Sequence, residues 1–253
     1  MRICTILFFL VVKSCLSFAQ TDSGFVVRNE NLLEINKQQI PPETKFPISL
    51  YKEATAQSQN IYNGRLYYLY DARMEEHQFF GDRKWQKGVV FYDGQRFDSI
   101  PMIYDIVRDE LIIKHFYGDH QMLQSEKVNY FLKDNHTFRR FEAGKDINPQ
   151  MRTGFYDILY EGKSRTLVRR SKQRQEKIVD KKVITFFPEK DFYYILRNDR
   201  YHSVRTKKSV FNLFPERKKE LRKALRDEKI KFRRNREIAI AKIVATYDDL
   251  ARP

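Results

Sequence analysis

An Asp-Gly pair with apolar, β-branched and aromatic residues on both sides leaves a chain few options. The stretch VVFYDGQRFDSIPMIYD, Val89–Asp105, has this form. Asp and Gly tolerate the positive φ angles of a two-residue β-turn, so Asp93-Gly94 predicts a tight hairpin. The device recurs as YNGR at Tyr62–Arg65 and YEGK at Tyr160–Lys163. YGDH at Tyr117–His120 and RNDR at Arg197–Arg200 predict two further turns. The Tyr-x-Gly turns are 30 and 68 residues apart, too irregular for a solenoid or a propeller. Between the turns, Arg65–Tyr70, Gly88–Tyr92, Glu110–Phe116, Gly154–Tyr160 and Asp191–Leu196 are rich in β-branched and aromatic residues and read as strands. The 20 Phe and 15 Tyr suit cross-strand packing.

The pattern changes at Thr206. KKSVFNLF (Lys207–Phe214) predicts a short helix, and PERKKELRKALRDEK (Pro215–Lys229) a second, with Pro at a permitted first-turn position and Leu221 and Leu225 on one face. Asn235 is placed to cap a third helix running to about Leu250, with Ile238, Ala241 and Ala245 as its apolar stripe. Strands followed by helices predict an α+β fold: an antiparallel β-hairpin meander body followed by C-terminal helices. The expected division is a signal peptide at 1–19, a loosely ordered segment at 20–47, a β-rich body at 48–205 and a basic helical region at 206–253.

The N-terminus sets the expected compartment. Arg2 precedes the apolar run Ile3–Val12, ten residues that are too few to span a bilayer as a helix. Ser17 and Ala19 hold the small-residue positions of a cleavage site, which predicts cleavage after Ala19 and export. Lipidation at Cys15 would need a small-residue box before it, and Val12-Lys13-Ser14 fits that box poorly. Both cysteines, Cys4 and Cys15, precede the cleavage point, so the mature chain carries no disulfide and no thiolate chemistry.

The formal charge of +15 is unevenly spread. Residues 20–162 hold 18 Lys and Arg against 21 Asp and Glu, a net of −3. Residues 163–253 hold 28 against 12, a net of +16, so composition changes near Gly162. Such asymmetry points to an anionic partner. The densest run outside the helices is KSRTLVRRSKQRQEKIVDKK, Lys163–Lys182, and its Arg165, Arg169, Arg170, Lys172, Arg174 and Lys177 are the candidate binding residues. In an exported chain the partner is expected to be an envelope component, such as a lipid headgroup, lipopolysaccharide or an acidic glycan, or a protein face, rather than nucleic acid.

Catalytic and metal motifs give less. No histidine pair has H-E-x-x-H spacing, and no nucleophile elbow, phosphate-cradling glycine loop or dinucleotide fingerprint occurs. His115, Asp119 and His120 bracket one turn and would make a three-ligand metal set only if the turn folded them together; solvated turn residues are the simpler reading. Asp98, Asp105, Asp109 and Glu110 could pair as acid and base only across a cleft, and carboxylates at strand ends usually bond local backbone. Neither cofactor nor metal is expected.

The stretches YDGQRFDSIPMIYDIVRDELII, GFYDILYEGK with RRSKQRQEKI behind it, and KKSVFNLFPERKKELRKALRDEKIKFRRNRE together resemble a family of exported Bacteroidetes proteins with no assigned function. The resemblance runs from about Tyr62 onward and implies an envelope address in a two-membrane bacterium. It supplies no catalytic residues to transfer. The expectation is a non-enzymatic envelope protein whose basic C-terminal half meets an anionic surface or partner. The alternatives are an envelope hydrolase acting on glycan or lipid and a small-ligand carrier with a cavity in the β body.

Overall fold

The structure, a computed structural model, describes residues 60–68, 76–179 and 181–251. The expected signal peptide, the segment 20–47 and both cysteines lie outside the described residues. Asp93 and Gly94 turn at φ 49° and 79°, joining strands β2 (Gln86–Tyr92) and β3 (Gln95–Asp105) as expected. The turns at Gly118 (φ 92°) and at Asn198-Asp199 (φ 50° and 56°) also form; they join β4 (Glu110–Lys114) to β5 (His120–Met122) and β12 (Phe192–Arg197) to β13 (Arg200–Val204). A further turn of this kind, Asp134-Asn135 (φ 52° and 63°), joins β6 (Val128–Lys133) to β7 (His136–Phe141). A Cβ added at Gly94 would meet nothing within 4 Å, so only backbone strain opposes substitution there. Gly94→Val is expected to cost about 1–3 kcal/mol, read as a lower denaturation midpoint; an unchanged midpoint would contradict the turn's strain.

Two Tyr-x-Gly motifs behave differently from the expectation. Asn63-Gly64 turns no hairpin: Arg65–Leu66 is β1, which pairs with β5, and a Cβ on Gly64 would lie 2.5 Å from the Met122 carbonyl. Gly162 does lie in the turn between β8 (Gly154–Glu161) and β9 (Arg165–Arg169), but without positive φ. A side chain there would strike Tyr160 Oη at 2.4 Å and Asp248 Oδ2 at 2.8 Å. Glycine is needed at both places for close approach.

The main sheet has eleven strands in the order β1-β5-β4-β3-β2-β6-β7-β8-β9-β12-β13, antiparallel throughout. The meander therefore starts near the middle, at β2, runs outward to β5, and resumes on the other side of β2. One cross-strand row crosses eight strands: Phe97, Val90, Phe131, Phe138, Asp157, Val168, Tyr193 and Val204. Cross-strand partners share a face, so this row defines the inner surface. The sheet rolls over it. The Tyr104 ring of β3 lies 5.0 Å from Phe138 of β7 and 6.0 Å from Phe155 of β8, and Lys172 N donates to the Ile106 carbonyl at 3.3 Å.

The inner face has two cores. Under the roll lie Val90, Tyr92, Met102, Tyr104, Phe131, Phe138 and Phe155, all fully or nearly fully buried. Past β8 the same face is covered by helices α1 (Lys207–Leu213), α2 (Lys218–Asp227) and α3 (Arg236–Leu250), which pack on Val168, Tyr193, Ile195 and Val204. Thr206 caps α1 through a reciprocal pair with Ser209: Ser209 N donates to Thr206 Oγ1 at 3.1 Å and Thr206 N to Ser209 Oγ at 3.0 Å. Asn235 stands at the N-cap of α3, but its side chain makes no capping bond. The burial on α3 is wider than the expected stripe: Ala239, Ile240, Ala241, Ile243 and Val244 are buried while Ile238 and Ala245 are half-buried. The reason is that α3 lies between the sheet strands β8 and β9 and α2, so it is covered on two sides. On the connection from β9 to β12, β10 (Gln175–Val179) and β11 (Lys182–Phe186) form a separate two-stranded ribbon.

Candidate functional site

The six candidate residues do not converge on one patch. Arg165 Nη2 pairs with Glu161 at 2.6 Å, a carboxylate that Arg139 also holds at 3.0 Å. Arg169 lies on the same outer face of β9 as Arg165 and is half-buried near Tyr156 and Tyr194. Lys172 Nζ donates to the carbonyls of His77 and Phe79 at 3.0 and 2.8 Å, and burial lowers its pKa. Arg174 pairs with Glu176 at 2.6 Å on the ribbon, and Lys177 is exposed there.

Arg170 departs furthest from a surface role. Its side chain is 5 % exposed and meets three carboxylates. Nε and Nη2 donate to Asp157 Oδ2 at 3.0 and 2.5 Å, Nη1 to Asp191 at 2.7 Å, and Nη2 to Glu237 Oε2 at 2.9 Å, with a second bond from Nη1 to Glu237 Oε1. Burial by itself would lower the guanidinium pKa, but these acidic partners more than offset it, and the pKa is raised. Burial also raises the Asp191 carboxyl, with Arg170 opposing. Around this centre His136 Nδ1 hydrogen-bonds Asp157 Oδ2 at 2.8 Å, Tyr193 Oη donates to Glu237 at 3.2 Å, and the Phe80 ring packs edge-on to His136 at 5.0 Å. The centre joins β7, β8, β9 and the first turn of α3. The other end of α3 is fastened too: Asp248 accepts from Ser164 N at 2.7 Å and Tyr160 Oη at 3.2 Å. Geometrically this is a joint between sheet and helix, with Arg170 as the shared donor to Asp157, Asp191 and Glu237.

Two of the other candidate groups, Asp105 and Asp109, are also used internally. Asp105 is fully buried and accepts from Tyr67 Oη at 2.6 Å and from the amides of Val107 and Arg108. Asp109 accepts from Tyr104 Oη at 2.5 Å and Phe155 N at 3.2 Å, and burial raises its carboxyl. These two fasten the rolled sheet. Asp98 pairs with Arg96 at 2.9 Å. Glu110 is half-buried, and burial raises its carboxyl. His115 packs edge-on to Tyr62 and His120 packs against Trp85. Among the described residues no group of three or more His, Cys, Asp and Glu is arranged to hold a metal ion.

The concentrated exposed charge lies on the helices. Residues 205–236 hold 14 Lys and Arg against four Asp and Glu, a net of +10. All fourteen except half-buried Lys218 are exposed. On α2, Lys219, Arg222, Lys223 and Arg226 recur at i, i+3, i+4 and i+7, one stripe opposite buried Leu221 and Leu225. An open hollow of about 770 Å³ lies elsewhere, across Arg139, Arg140, Lys145 and Arg165, but these cations are paired to Glu161 and Glu142.

Comparison of the chain with family models, with curated proteins and with solved structures finds no match.

Proposed function

We propose that this is an exported, non-enzymatic envelope protein that binds an anionic surface through its basic C-terminal half, with α2 at the centre of contact. The observation that carries this reading is the exposed stripe of Lys219, Arg222, Lys223 and Arg226 on a helix whose other face is buried. A net of +10 over residues 205–236 makes a potential that attracts anions and raises encounter rates. Asp105, Asp109 and His136 are committed to holding the sheet, and aromatic rings fill the inner face of the roll where a carrier would need space. Export rests on residues 1–19 and on the family resemblance. Among the described residues no helix is long and apolar enough to cross a membrane, and the reading asks only for surface contact.

The test is binding of the protein to vesicles containing phosphatidylglycerol, to lipopolysaccharide and to an acidic glycan, across a salt series. The unmodified protein should bind at least one of them, with affinity falling steeply as the Debye length shrinks below about 10 Å. Replacing Lys219, Arg222, Lys223 and Arg226 together with Gln should weaken binding about a hundredfold at low salt and flatten the salt dependence. Absence of salt-sensitive binding to all three surfaces would refute the reading.

A further inference from the structure

The β10–β11 ribbon keeps apolar side chains in water, as the β1 and β4–β5 end of the sheet also does at Leu66, Tyr68, Phe116 and Tyr117. Ile178 is 74 % exposed and Val183 63 % exposed, and they are direct cross-strand partners, so they stand together on one face near the ribbon's end. Ile184, 43 % exposed, sits on the other face opposite exposed Lys177. Lys181 and Lys182, at the turn, are exposed as well. The segment Arg174–Lys182 carries four basic and two acidic residues, a net of +2.

The ribbon's base is firmly held. Gln173 N donates to the Pro188 carbonyl at 3.2 Å, Lys190 N to the Ser171 carbonyl at 2.8 Å, and Ser171 Oγ to the Lys190 carbonyl at 2.6 Å. Lys172 reaches the His77 and Phe79 carbonyls, and the amide N of buried Phe187 donates to Glu76 Oε2 at 2.6 Å. Beyond this base two five-residue strands extend about 15 Å. A lone two-stranded ribbon is marginal in water, and apolar residues left outside it add nothing to its stability there. Contiguous exposed apolar residues on a charged chain mark a contact surface.

We propose that the ribbon is a shallow membrane wedge: Ile178 and Val183 enter the headgroup–acyl boundary of an anionic bilayer while Lys177, Lys181 and Lys182 meet the phosphates. Charge complementarity selects this occupant. Lysines set about an apolar pair match the two layers of a bilayer surface, apolar below and anionic above, and the +10 helical segment of the same chain favours an anionic plane. The proposal rests on the anionic-surface reading and names its lipid source.

The experiment uses the full chain and vesicles of phosphatidylglycerol and phosphatidylcholine. The double variant Ile178→Ser, Val183→Ser should bind about five- to tenfold more weakly than the unmodified protein while keeping its salt dependence, since the lysines and the α2 stripe remain. In a second variant, Val183→Trp, the added indole emission, after subtraction of the Trp85 signal, should shift to the blue on vesicles and be quenched by lipids brominated along the acyl chain. Unchanged affinity of the serine variant together with an unquenched indole would overturn the wedge and leave the anionic-surface reading intact, provided the α2 variant still loses binding. If the unmodified protein ignores vesicles at every salt concentration, wedge and lipid assignment both fail. Loss of a captured envelope protein from the serine variant, with vesicle binding untouched, would make the ribbon a protein-docking arm and equally overturn the lipid assignment.

Discussion

Arg170→Met is expected to destabilise the fold by about 3–5 kcal/mol, the cost of removing one partner from a buried ion cluster. The guanidinium is the common donor to Asp157, Asp191 and Glu237, and Asp157 itself is 1 % exposed. Methionine fills much of the volume but leaves Asp157 with only His136 as a polar neighbour in the hydrogen-bond pattern. The remaining carboxylates must then take up protons, draw in water or separate, and separation means that the first turn of α3 leaves the sheet. Arg170→Lys should recover only part of the loss, because an ammonium lacks the planar fork that reaches three acceptors. Chemical denaturation reads both variants. A loss below about 1 kcal/mol for Arg170→Met would show that water already reaches these carboxylates and that the joint is open.

Phe138→Ala should cost a similar amount, about 3–5 kcal/mol, by a different route. Phe138 is fully buried in the roll, stacked on Phe131 at 4.8 Å and edge-to-face with Tyr104 and Phe80 at 5.0 and 5.1 Å. Phe131 and Tyr104 belong to backbone-paired strands and Phe80 N is bonded to the Tyr104 carbonyl, so these neighbours cannot close over the space it leaves. The expected result is a lower denaturation midpoint with vesicle binding per folded molecule unchanged, because the ring is remote in sequence and packing from α2. A midpoint within error of the unmodified protein would mean that the roll collapses readily around smaller side chains.

Much of the architecture was legible because it is local. Asp-Gly and Asn-Asp turns need positive φ, and few residue pairs supply it, so Asp93-Gly94 and Asn198-Asp199 identified their hairpins from sequence alone. Asp134-Asn135 gave the same signal in KDNH without a glycine to draw notice. The role of Gly64 was illegible because it answers to a group distant in sequence, the Met122 carbonyl, and that of Gly162 because the nearby Tyr160 hydroxyl crowds it only when folded against the distant Asp248 carboxylate. The scattering of the candidate binding residues has the same origin. Arg169 and Arg170 are adjacent in a basic run, but strand alternation sends them to opposite faces, and no composition argument says which face is covered. One hint was present: Asp157 interrupts the aromatic and aliphatic strand GFYDILY on the same side as Phe155, and a carboxylate in that position calls for a buried cation. The stripe on α2 was visible as charge opposite Leu221 and Leu225, and its weight relative to Lys163–Lys182 became clear only when the ion pairs of the latter were known.

The two cores of the inner face divide the chain almost where its charge divides. The core under the roll draws on residues 61–155, and the core under the helices on residues 159–247. The first belongs to the part of the sequence with a net of −3, the second almost wholly to the part with a net of +16. Mutual repulsion among like charges opposes compaction, and here it falls on one core alone. The rolled half is electrically quiet. The helical half assembles against its own field, and the three acids gathered on Arg170 together with Asp248 at the far end of α3 place negative charge inside that field. Anions arriving from outside would relieve the same repulsion, so the anionic surface proposed above would also steady the half of the molecule that meets it.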